Sequence, residues 1–139
     1  MNLQRTATIL SGVIFFSASG IALTEDNVDL GKKEFDAKCA VCHGLAGKGD
    51  GPFVNQLMAG SSDITQLTKK NGGEFPTAQV LMVLDGRSEV QAHGPREMPI
   101  WGEVYLSEGP HDRPPKDREG YVAERLRALI AYLEQLQAK

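Results

Sequence analysis

Cys39 and Cys42 are the two cysteines of the 139-residue chain, and His43 follows the second directly. The order Cys39-Ala40-Val41-Cys42-His43 sets two thiols three residues apart, on one helical turn. Thiols at that spacing face the same way and can bond two vinyl groups along one edge of a porphyrin. His43, four residues after Cys39, shares that face and projects under the ring toward an iron. C-x-x-C-H is for this reason the attachment signal of a c-type haem. These five residues predict one covalently attached haem c, with His43 as an axial ligand to its iron.

Rival chemistries need partners that the chain lacks. A thioredoxin-like redox pair sits at a strand-to-helix junction, and no strand pattern precedes Cys39. A structural zinc site needs four ligands, and beyond this motif only His93 and His111 remain. A plain disulfide would leave the adjacent imidazole without a purpose.

A second axial ligand must come from Met58, Met82, Met98, His93 or His111. Met82 falls on the apolar stripe of an expected helix, where methionine is commonly packing. Met58 lies in a glycine-flanked loop. His111 belongs to an exposed proline-rich stretch. Met98 precedes Pro99 in an irregular segment well downstream, from which a soft thioether can reach the far face of a ring. The residue pattern alone leaves the choice open.

The elements that must position these groups read as helices. Asp29 is placed to cap a first helix through Phe35 and Cys39, with Gly31, Phe35 and Cys39 on the inward face. Gly44, Gly47, Gly49 and Gly51 then enforce a tight loop closed by Pro52. Asp63 suits the cap of a short helix over 63–70, broken by Asn71-Gly72-Gly73. Pro76 suits the start of another helix that stops at Gly86. Residues 87–103 read as irregular, and 107–116 as an exposed loop. A last helix starts near Asp117 or Arg118, with Val122, Leu126, Leu129, Ile130, Leu133 and Leu136 at helical spacing. No segment alternates as a strand does. The expected class is all-α, with four or five short helices and long loops.

The amino terminus reads as a targeting segment. Arg5 is the one charge before Glu25, and the nineteen residues from Thr6 to Thr24 are uncharged. The apolar centre at Val13-Ile14-Phe15-Phe16 is followed by small residues up to Ala22. Residues 1–22 are therefore expected to be a secretory signal peptide, which sends the chain to the periplasm. The alternative is an uncleaved membrane anchor, disfavoured by the Ser, Thr and Gly that dilute the run. Removing 1–22 leaves 117 residues with a formal charge of −4 and no span.

At 41% hydrophobic and 24% charged, the chain is neither disordered nor polytopic. Its acidic balance excludes a nucleic-acid surface. A chain of 117 residues buries roughly two-thirds of its unfolded surface, enough for one modest core. That core has just seven aromatic residues to use, so a large bound cofactor would supply apolar mass.

From Leu30 to Gln137 the sequence resembles the class I cytochromes c, small soluble monohaem electron carriers. The resemblance rests on Gly31, Phe35, Cys39-Ala40-Val41-Cys42-His43-Gly44, the run from Gly47 to Pro52, Gly86-Arg87, Met98-Pro99-Ile100-Trp101-Gly102 and Ile130-Ala131-Tyr132-Leu133. It implies a cytochrome c domain over 23–139 whose first and last helices cross at Gly31, Phe35 and Tyr132. It also implies Met98 as the distal ligand to iron opposite His43, Pro52 as the carbonyl partner of the His43 imidazole, and Trp101 and Arg87 near the haem propionates.

The function implied is a one-electron carrier and not an enzyme, passing electrons between a redox donor and an acceptor, as a monomer or in complex with a redox enzyme. A cytochrome subunit of a dehydrogenase would carry the same motif, and the 107–116 loop is the feature that suits a dedicated partner. A haem sensor or peroxidase would need an open position on the iron.

Overall fold

The computed structural model describes residues 25–87, 98–112 and 114–138. The expected signal segment at 1–22 and His93 lie outside the described residues. Among those described there is no strand, and helices account for all the regular structure.

Helix α1 (Glu25–Glu34) carries Glu25 and Asp26 in its first turn and Lys32 and Lys33 in its last. Asp29 thus lies within the helix and does not cap it. The helix runs on through a π-helical turn, Phe35–Cys39, in which the Ala40 N–H donates to the Phe35 carbonyl. Helix α2 (Ala40–His43) completes the same rod and ends at Gly44, whose φ of 76° stops it. Single π turns of this kind collect at functional sites.

Asp63 caps the next element by accepting from the Thr65 N–H at 2.9 Å. A 3-10 turn then leads into α3 (Leu67–Lys70), and α4 (Thr77–Leu84) follows Pro76. Helix α5 (Trp101–Glu108) occupies chain that the sequence pattern assigned to irregular structure and loop. Pro99 and Gly102 suggested a break, yet Pro99 precedes the helix and so costs it no hydrogen bond. Trp101 and Tyr105, one turn apart, bury its inner face. The proline-rich loop is therefore shorter than expected, since α5 takes in 107 and 108 and the last helix already includes 115 and 116. Helix α6 (Pro115–Gln135) begins with Pro115 in its first turn, where a missing N–H is harmless.

The crossing of α1 and α6 organises the core. A β-carbon on Gly31 would lie 2.9 Å from the Tyr132 Cβ and closer still to the Ala128 carbonyl. Only glycine lets the two backbones meet there. Phe35, Tyr105 and Leu129 are fully buried around this contact, each worth about 1.5–3 kcal/mol of apolar burial. The end of α6 is tied to α3 by Gln137. Its amide donates to the carbonyls of Ile64 (2.9 Å) and Leu133 (2.8 Å) and accepts from the Thr68 N–H (2.9 Å).

Candidate haem site

A cavity of about 790 Å³ lies between the α2 turn, α4, the start of α5 and the inner face of α6. Cys39, Cys42, His43 and Met98 all line it. Met98 is 55 residues beyond His43, half-buried and packed against the core. The walls are mainly apolar: Phe35, Leu129 and Leu133 from the helix crossing, Val80, Val83 and Leu84 from α4, and Trp101 from α5.

No disulfide joins the two cysteines; Cys39 is buried and Cys42 partly so. Burial pushes the Cys39 thiol up to about 12, and the Glu34 carboxylate adds to the rise. Before a haem is attached, Cys39 is therefore a neutral thiol at neutral pH.

The His43 ring is held from a loop the sequence did not single out. Its Nδ1–H donates to the Ser62 carbonyl at 3.0 Å, with the Ser61 hydroxyl also 3.0 Å from Nδ1. A carbonyl can only accept, so the proton is assigned to Nδ1 and the lone pair to Nε2, the form in which imidazole binds a metal. Pro52, expected in this role, is exposed and does not line the cavity. The intervening loop folds back on the motif instead. The N–H groups of Gly49, Gly51 and Phe53 donate to the carbonyls of His43 (2.8 Å), Cys42 (3.1 Å) and Val41 (2.9 Å). A β-carbon on Gly51 would stand 2.5 Å from the Val41 oxygen, so glycine is required for this return. No hydrophobic period marks such a bond across nineteen residues. A serine pair after a glycine run was the available signal.

The model of the Cytochrome c family matches residues 28–137. The chain belongs to the cytochrome c family. It is a haem-based electron carrier that binds covalently attached haem c with its iron. Compared with curated proteins and with solved structures, the chain matches none.

The cavity of this cytochrome fits that group on its own chemistry. It offers two thiols, an imidazole and a thioether within apolar walls of cofactor-site volume. No Asp or Glu stands among the described lining residues. The other candidates from the sequence fall elsewhere. Met58 is 83% exposed and Met82 is 40% exposed, and neither lines the cavity. The His111 Nε2–H donates to the Ser107 carbonyl at 2.7 Å, on an exposed surface. Trp101 lines the cavity, whereas Arg87 is turned to Asp85 at 2.6 Å and does not. No helix among the described residues is long and apolar enough to cross a membrane.

Proposed function

We propose that this cytochrome is a periplasmic carrier of single electrons, exported by the segment 1–22, with Cys39 and Cys42 bonded to the haem and His43 and Met98 as its axial ligands. The observation that carries this reading is the convergence of Met98 and the Cys39-to-His43 turn on one apolar cavity. When bound, the haem supplies a one-electron iron couple.

The chain's own residues bind, orient and exclude water. Cys39 and Cys42 anchor one edge of the group. Ser62 keeps the proton on Nδ1 of His43, and so keeps Nε2 basic. Phe35, Leu129 and Leu133 make a low-dielectric wall, which disfavours added charge at the metal and favours the reduced state. Val41 and Phe53 line the cavity yet are 45% and 43% exposed. There the cavity opens toward donor and acceptor proteins, which meet it in turn. No residue of the cavity is asked to make or break a substrate bond.

Denaturing electrophoresis of the purified protein, followed by haem staining, tests the covalent link. Colour should remain on the parent band and vanish from a Cys39→Ala, Cys42→Ala double variant. Acid–acetone extraction that strips the parent would overturn the reading. Fractionation should place the coloured protein in the periplasm, with an amino terminus near Leu23 and no stoichiometric partner.

A further inference from the structure

Two lining residues carry a positive charge, Lys38 and Lys70. The Lys38 amine is committed, 3.0 Å from Glu108 and 3.8 Å from Glu34. Lys70 is exposed and has no carboxylate in ion-pair range among the described residues, though Asp63 feels its charge from further off. It stands at the end of α3, next to Asn71, and Gln79 follows on α4. All three line the cavity. The Asn71 amide donates to the Glu74 carbonyl at 2.8 Å, which fixes the turn joining the two helices. One stretch of the wall, 70–79, is thus polar and cationic, while the helix-crossing wall is apolar.

A ligand that suits such a cavity is flat and apolar with acid groups along one side. We infer that Lys70 and Gln79 form the carboxylate-binding edge of the site, taking the haem propionates in place of Arg87. Arg87 is exposed, paired with Asp85 and absent from the cavity wall. The inference rests on the haem reading above.

An ammonium beside a carboxylate favours its ionised form, typically by a pH unit or more within ion-pair distance. An ionised propionate in turn favours the oxidised iron. The reduction potential therefore falls with rising pH where the propionate titrates, and Lys70 sets where that step occurs.

The experiment is potentiometric titration of the purified, haem-loaded protein over a range of pH, with Lys70→Gln, Lys70→Arg and Lys69→Gln. Lys69 is exposed, outside the cavity and one residue away, so Lys69→Gln makes the same change of net charge. Lys70→Gln should move the pH-dependent step upward by about one unit. Lys70→Arg should restore it, and Lys69→Gln should leave it in place. A coloured parent whose step stays put in Lys70→Gln, or moves equally in Lys69→Gln, overturns this inference alone. A parent without gel-stable haem overturns the underlying reading and this inference with it.

Discussion

The Phe35 and Tyr132 rings meet 5.3 Å apart and tilted by 52°, directly beside the point where Gly31 admits the α6 backbone. One aromatic comes from the rod that carries the cysteines and the other from the last helix. The packing that holds the chain ends together is therefore also the packing that closes the cavity.

That contact should be the most sensitive in the core. Gly31→Ala drives a methyl into the Ala128 backbone, which cannot retreat as a side chain would, and should cost at least 1–3 kcal/mol, by order of magnitude about the usual overpacking penalty. Phe35→Ala should cost about 3–5 kcal/mol, since it empties a fully buried site. Denaturant unfolding of the variants against the parent, followed by far-UV circular dichroism, reads both. A loss below about 1 kcal/mol in either would deny the crossing this importance.

Glu34 ties three elements together through Arg125 at 2.7 Å and Lys38 at 3.8 Å, with its side chain only 12% exposed. Glu34→Ala leaves the half-buried Arg125 without its partner, while Lys38 keeps Glu108 at 3.0 Å, and should destabilise by about 1–3 kcal/mol, less than for a fully dry pair. Asp36→Ala, which removes only the pairing with exposed Lys32, should change little. Equal effects from the two substitutions would refute the distinction.

Asp63 gives a pH test with a definite sign. The Thr65 hydroxyl and N–H hold its carboxyl below the ordinary value of 3.8. A depressed carboxylate adds stability above its unfolded value and loses it as pH falls through the folded one. The parent should therefore shed this contribution below pH 3.8. Asp63→Asn keeps an oxygen acceptor but cannot titrate, so its acid unfolding curve should lack that component. Superimposable curves would rule the cap out as a source of acid sensitivity.

Met98 should be the weaker axial link. Closing the 55-residue segment from His43 costs about 3.5 kcal/mol from its logarithmic term, against none for a ligand carried on the anchored turn. Heat or mild denaturant should release Met98 before the domain unfolds. The ferric protein should show a weak sulfur-to-iron charge-transfer band in the far red. Met98→Ala should abolish it, while Met58→Ala and Met82→Ala should keep it. A band that survives Met98→Ala and disappears with Met58→Ala would transfer the role to Met58.

What the sequence reveals divides along physical lines. The cysteine motif is legible because two thiols and an imidazole on one turn form a specific pattern, and α6 because its apolar residues recur over about four turns. Helix α5 was not, since two buried residues one turn apart make no stripe long enough to outweigh a nearby proline and glycine. The Ser62 bond to His43 is carried by backbone, and a carbonyl has no sequence signature. Asp29 was expected as a cap but lies within α1, because the acidic residues ahead of it, Glu25 and Asp26, are helical as well. Arg87 was implied by the resemblance alone, and Asp85, two residues earlier, pairs with it locally.

The π turn carrying Cys39 and the apolar wall from Leu129 and Leu133 come from opposite ends of the chain, and this has a consequence in time. Ninety residues separate Cys39 from Leu129, so the wall cannot form until most of the chain has reached the compartment where it folds. Until then the Leu129 and Leu133 side of the turn stays open. A nascent or partly threaded chain presents both sulfurs and the imidazole to whatever delivers the prosthetic group, and the door shuts only when the last helix swings in behind it.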